Sequence, residues 1–136
     1  MEIRYYKHWS SHLNRDMEFK VYGHAGKPVL FIPCQAGRYV DFEGFNMDKT
    51  WAPWIESGQV MVFSCDSIDN EAWAALGADK RWRIENHEKW VSYITTELVP
   101  AIKHIAGLAN GYDQGIMTFG ASMGAMHAAN LYYRRP

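Results

Sequence analysis

Apolar residues fall first in short runs separated by polar turns, and later recur every three or four positions. Residues 3–9 and 17–22 are rich in Tyr, Phe and Val. Ser10, Ser11 and His12 separate them, so they predict an antiparallel pair of strands. Residues 28–33, PVLFIP, are continuously apolar, as in a strand buried on both faces. A polar loop follows, and a short helix is predicted near 51–57, with Pro53 to open it and Gly58 to close it. Residues 60–65, VMVFSC, predict a fourth strand, and a polar turn follows at 66–70.

The longest helical pattern comes next. Ile84, His87, Val91, Ile94, Leu98, Ile102 and Ile105 are spaced by three or four and share one face. Pro100 lies inside this pattern and is expected to kink or break it, and Gly107 to stop it. Residues 116–119 predict a fifth strand. The last helix, about 123–134, is apolar almost all round and is expected to be buried. Strands alternating with helices in this order predict a three-layer α/β sheet. The antiparallel pair forms one edge, and the later strands run parallel through right-handed crossovers. No repeat or linker divides the chain, so 1–136 reads as part of one domain.

Composition narrows the function classes. With 48% hydrophobic and 15% aromatic residues, the chain has ample apolar material to offset chain entropy, which excludes disorder. A formal net charge of −1 gives no footprint for nucleic acid. No apolar run approaches the roughly 20 residues of a membrane span, and no apolar stretch of a signal peptide follows Met1. Two cysteines are too few for a disulfide scaffold, so the default is a cytoplasmic protein with reduced thiols. A single bridge stays open, because Cys34 and Cys65 both sit at strand ends. The nucleotide, redox and zinc-protease motifs are missing, and neither cofactor nor metal is expected.

The chemistry is carried by Gly120-Ala121-Ser122-Met123-Gly124, a G-x-S-x-G pattern between an apolar strand and a helix of small residues. The chain must turn sharply there, with Ser122 strained at the tip. Side chains at 120 and 124 would collide with each other, so both positions call for glycine. The turn lifts the hydroxyl above the sheet and sets the Met123 N–H at a helix N-terminus, where partial positive charge favours an oxyanion. The loop after the third strand, Cys34-Gln35-Ala36-Gly37, is where a second oxyanion donor belongs, from the N–H of Gln35 or Ala36.

Other residues carry blander readings. Cys34 has no activating base to assign. Asp66, Asp69 and Glu71 read as turn or cap residues, with a place at a site mouth as the alternative. His8 and His12 are four apart on a non-helical segment, which disfavours a metal pair. His87 and His127 read as satisfied packing residues rather than bases. His24 and His104 lie near turns without a partner to name.

Several stretches together resemble one family. Residues 28–44 (PVLFIPCQAGRYVDFEG), 60–73 (VMVFSCDSIDNEAW), 83–102 and 119–136 (FGASMGAMHAANLYYRRP) are similar to the bacterial esterase-D-like branch of the α/β-hydrolases. They match, in turn, its third strand and oxyanion loop, its fourth strand and acidic turn, its long helix with the Val99-Pro100 step, and its elbow. The resemblance implies an open sheet with the first two strands antiparallel and a serine nucleophile, here Ser122. It also implies a catalytic Asp and His after the serine. The 14 residues beyond Ser122 hold His127 and no Asp or Glu, and His127 lies in the wrong element. The family's last three strands have no counterpart either. The expectation is therefore the N-terminal part of a single α/β-hydrolase domain, truncated after the nucleophile helix, with the acid and base outside this chain.

The expected function is a serine hydrolase of small-molecule carboxylic esters. A homo-oligomer or a complementing C-terminal segment is expected to cover the fifth strand and last helix. The alternative is a non-catalytic assembly or interaction piece with a hydrolase-derived sheet. A flavodoxin-like domain cradling phosphate at 120–124 is a weaker third reading.

Overall fold

Branched and aromatic side chains on both faces place two strands in the middle of a sheet. In β3 (Lys27–Ile32), Leu30 and Ile32 enter one core while Val29 and Phe31 enter another. In β4 (Val60–Cys65), Met61, Phe63 and Cys65 join the first core and Val62 the second. This period-two division is how a strand serves two layers at once. The computed structural model describes residues 1–136 and builds a five-stranded sheet on this centre.

Strand order is β1-β2-β4-β3-β5. β1 (Ile3–Ser10) pairs antiparallel with β2 (Arg15–Tyr22), with Ile3 opposite Tyr22 and Ser10 opposite Arg15. β2 pairs antiparallel with β4, and β3 runs parallel to both β4 and β5 (Met117–Gly120). The antiparallel pair thus forms one edge and β5 the other. The antiparallel pair also sets the sheet apart from an all-parallel flavodoxin-like one.

Helices cover both faces. Three short ones, α1 (Asp41–Gly44), α2 (Met47–Thr50) and α3 (Ala52–Glu56), follow β3. Only α3 was expected from the pattern; α1 and α2 are too short to carry a period. Phe42 and Ile55 bring them into the smaller core with Tyr22, Val29, Phe31 and Val62. Glu43 ties α1 to β2 by accepting from the Tyr22 hydroxyl at 2.6 Å and from Lys20 Nζ at 2.8 Å. Pro53 lies in the first turn of α3, and Gly58 follows its end at φ +77°.

The other face carries α4 (Lys80–Tyr93), α5 (Val99–Asn110) and α6 (Met123–Arg134) over the larger core of 19 residues. Asp79 caps α4 by accepting from the Trp82 N–H at 3.0 Å. Pro100 does not break the long helix. A π-helical turn at Ile94–Leu98 joins α4 to α5, and Pro100 sits in the first turn of α5, where a missing N–H is tolerated. The wide turn carries Glu97, which accepts from Ser10 Oγ, Ser11 N and Ser11 Oγ and so pins the β1–β2 hairpin. Gly107 is not the stop. The helix runs on to Asn110, and Gly111 at φ +81° ends it, its N–H donating to the Gly107 carbonyl at 2.7 Å. Ile84 lies outside the buried stripe and is exposed, whereas His87, Val91, Ile94, Leu98 and Ile102 are buried.

The last helix also departs from expectation. Only Gly124, His127, Ala128 and Leu131 of α6 are buried, whereas Met126, Tyr132 and Tyr133 are exposed. The cause is the position of β5: it pairs only with β3, so nothing in these residues covers the far side of β5 or the outer face of α6. Cys34 and Cys65 are free thiols, so the bridge left open by the sequence is not formed. No helix is long and apolar enough to cross a membrane.

Candidate functional site

β5 ends at Gly120, α6 begins at Met123, and the two residues between them make the turn. Ser122 stands at φ +56°, ψ −126°, a conformation that L residues adopt only under constraint. The constraint is packing on both sides. A Cβ on Gly120 would overlap the Gly124 carbonyl group. A Cβ on Gly124 would overlap the Ile32 carbonyl oxygen and lie 2.7 Å from that of Pro33. The sequence pattern points to a clash between two side chains. The structure shows instead that Gly124 is required by the end of β3, and only Gly120 by the elbow itself. Ser122 is exposed, and its hydroxyl caps no helical N–H. Met123 is the first residue of α6, so its N–H has no partner within the helix.

The loop after β3 lies against this turn. The Cys34 thiol donates to the Ala121 carbonyl, with 3.4 Å between Sγ and O. The Gly37 N–H donates to the Cys34 carbonyl at 2.9 Å, which closes a tight turn and leaves Ala36 at φ +57°. Gln35 and Ala36 are exposed, and neither N–H donates to a backbone carbonyl. Their side of the loop is therefore furnished with unused donors next to the elbow.

The acidic turn after β4 holds the loop in place. Arg38 forks onto Asp66, with Nε to Oδ1 at 2.7 Å and Nη2 to Oδ2 at 3.1 Å. Ser67 Oγ donates to the Gly37 carbonyl at 2.7 Å, and Trp90 Nε1 donates to the Asp66 carbonyl at 3.1 Å. Asp66 and Asp69 are buried, so they are more than the turn and cap residues that their place after a strand predicts. Glu71 pairs with Arg15 through both oxygens, and that guanidinium holds its carboxyl below the usual range.

Behind the elbow, His127 Nε2 lies 3.3 Å from Asp69 Oδ1. Both residues are buried, and Asp69 Oδ2 and His127 Nδ1 have no hydrogen-bond partner. The His127 ring stacks on that of His87 at 5.4 Å and packs tilted against that of Trp90 at 4.9 Å, centroid to centroid. The packing reading of His127 stands, but its polar atoms are only half satisfied. Trp73 Nε1 donates to His87 Nδ1 at 3.0 Å, so the neutral His87 ring carries its proton on Nε2. Burial, and then the neighbouring His127, lower the pKa of His87. The Asp69–His127 pair had no sequence signal: its members lie 58 residues apart, in two separate stretches that no local spacing connects.

No histidine here takes up the Ser122 hydroxyl. His8 bonds Tyr93, His12 bonds Thr96, His87 bonds Trp73 and His127 bonds Asp69. His8 and His12 are thus each engaged with a hydroxyl, and no group of three or more His, Cys, Asp or Glu side chains is arranged to hold a metal.

No protein-family model matches the sequence, and no curated protein does. Solved structures do. The chain is similar to an S-formylglutathione hydrolase from Agrobacterium tumefaciens, with TM-score 0.68 and 19% identity over 98% of this chain and 53% of that one. It is similar to a CE1 ferulic acid esterase from Anaeromyces mucronatus, with TM-score 0.70 and 12% identity over 98% and 53%. It is also similar to FphF, a fluorophosphonate-binding serine hydrolase from Staphylococcus aureus, with TM-score 0.60 and 11% identity over 93% and 49%. The chain thus spans about half the length of the structures it matches. At these identities the likeness is one of fold: the mixed sheet and its two helical layers have the α/β-hydrolase architecture.

Proposed function

We propose that the chain is the N-terminal part of a serine hydrolase that acts on carboxylic esters, with Ser122 as nucleophile. The observation that carries this reading is the backbone of Ser122, held at φ +56° between two glycines that admit no Cβ. Strain of this kind costs about 1–3 kcal/mol and persists where function needs the geometry. The fold shared with solved esterases supports the same reading.

In this mechanism Ser122 Oγ forms a bond to the ester carbonyl carbon while a histidine takes the hydroxyl proton. The carbonyl oxygen becomes an oxyanion, held by the Met123 N–H and by that of Gln35 or Ala36. Collapse of the intermediate expels the alcohol oxygen, which receives the proton from the histidine. Water then cleaves the acyl-serine by the same steps in reverse. The histidine and its aspartate are assigned to residues outside 1–136, because His127 is buried against Asp69 and engages it rather than Ser122.

A fluorophosphonate probe tests the assignment on the full-length protein. Labelling of Ser122, lost in Ser122→Ala, is the expected result. An unlabelled protein, or equal labelling of the variant, overturns it. The uncovered far side of β5 favours a second reading, a non-catalytic assembly piece. A stable folded oligomer of residues 1–136 alone, unreactive to the probe, would support that reading instead.

A further inference from the structure

A polar cleft of about 250 Å³ opens beside the loop after β3. Ala36, Gly37 and Arg38 form one wall, the start of β2 a second and the turn after β4 a third. Ala36 belongs both to the cleft and to the pair of N–H groups assigned to the oxyanion. Ala36 thus joins the cleft to the loop that lies against the elbow.

The lining carries five carboxylates, Asp16, Glu18, Asp66, Asp69 and Glu71, against the guanidinium groups of Arg15 and Arg38. Both cations are committed. Arg15 grips the two oxygens of Glu71, and Arg38 the two oxygens of Asp66. Carboxylates thus outnumber guanidinium groups in the lining by three. Asp16 has only a distant partner, Lys7 at 3.9 Å. Glu18 accepts from the Tyr5 hydroxyl, which holds its carboxyl below the usual range and keeps it charged at neutral pH, and it lies 3.8 Å from Arg38 Nη2, a guanidinium already forked onto Asp66. Asp69 is buried to more than nine-tenths on the cleft wall; its Oδ1 meets His127, and its Oδ2 has no partner. Only three of the 13 lining residues are hydrophobic, so an acyl chain finds little to bury against. An anionic substrate would meet the excess of like charge.

We propose that this cleft receives the positively charged end of the substrate, an ammonium or comparable cation attached to the ester. The proposal rests on Ser122 being the nucleophile, and it adds a substrate class to that site. Each carboxylate attracts a cation even across water, and more strongly within a cleft walled by protein.

Matched phosphonylating reagents test it on the full-length protein. In each, Ser122 Oγ forms the O–P bond, the thiolate leaves and the hydroxyl proton passes to the base. One pair carries trimethylammonium or its neutral tert-butyl isostere on the leaving group, and a second pair carries them on the phosphonyl side chain. In at least one pair the cation is expected to label Ser122 about tenfold faster at low ionic strength, with the advantage shrinking as salt rises. Glu18→Gln is expected to narrow that ratio severalfold. If the neutral reagents label Ser122 and neither cation is faster, the cationic cleft is overturned while the nucleophile stands. A carboxylate-bearing or sugar-like reagent that outpaces the cation overturns it in the same way. If no reagent labels Ser122, the nucleophile assignment itself fails, and the cleft proposal falls with it.

Discussion

His127 Nε2 meets Asp69 Oδ1 at 3.3 Å and links the helix after the elbow to the turn after β4. Because both residues are buried, the loss of either strands the other. His127→Ala leaves a buried carboxylate oxygen without its partner and is expected to cost about 1–3 kcal/mol, the penalty of an unsatisfied buried polar group. Replacing both, as Asp69→Ala with His127→Ala, should cost less than the two single changes added together. Urea unfolding of the four proteins in a double-mutant cycle measures the coupling, and strict additivity would show that the pair does not interact.

Glycine positions in neighbouring helices should respond with opposite sign. Gly107 lies inside α5 with nothing within 4 Å of an added Cβ. Gly107→Ala should stabilise by about 0.5–1 kcal/mol, the helix-propensity difference. Gly124→Ala drives a methyl group into the carbonyl oxygens at the end of β3, which are backbone and cannot swing aside. A loss of about 1–3 kcal/mol is expected there, together with a displaced elbow. Thermal or urea midpoints of the two variants check both signs.

Strain at Ser122 sets stability against activity. Glycine accepts φ +56° without a Cβ penalty, so Ser122→Gly should raise stability by about 1 kcal/mol. Ser122→Ala keeps the Cβ and should leave stability nearly unchanged. Both variants should lose fluorophosphonate labelling. Unfolding curves in which Gly is no more stable than Ala would count against strain at this position.

Acid should weaken the α4 packing through His87. Its pKa in the fold lies below the ordinary value of 6.5, first because of burial and then because of His127. Below pH 6.5 the unfolded chain therefore binds the proton more readily than the folded one. Its contribution is fully present above that pH, falls as pH drops through it, and levels off below the folded pKa. His8, also lowered by burial, acts in the same direction. His87→Gln keeps an acceptor for Trp73 and should flatten the fall in unfolding free energy between about pH 7 and pH 5. An unchanged slope in the variant would exclude His87 as its source.

How much was legible in the sequence depended on distance along the chain. β4 and α6 are found at the positions their patterns predict, and the glycines around Ser122 mark the elbow, because each of these signals is local. Pro100 marks a departure from regular α-helix, as a kink or break predicts, but its form was not legible: a π-helical turn just before it takes up the missing N–H and lets the helical path continue to Asn110. The all-round burial expected of α6 failed because burial depends on what lies beyond β5, which hydrophobicity within the helix does not report.

By itself, then, the sequence determined the alternation of strands and helices, the sharp turn at Ser122 and the apolar faces, all set by steric and hydrophobic rules within a few residues. Tertiary structure alone decided the strand order, the fork of Arg38 onto Asp66, the burial of Asp69 against His127 and the acidic cleft beside Ala36. Those features join segments from 28 to 58 residues apart, or gather three separate segments around one space. Only the folded sheet brings such groups within hydrogen-bonding range, so no local pattern could encode their meeting.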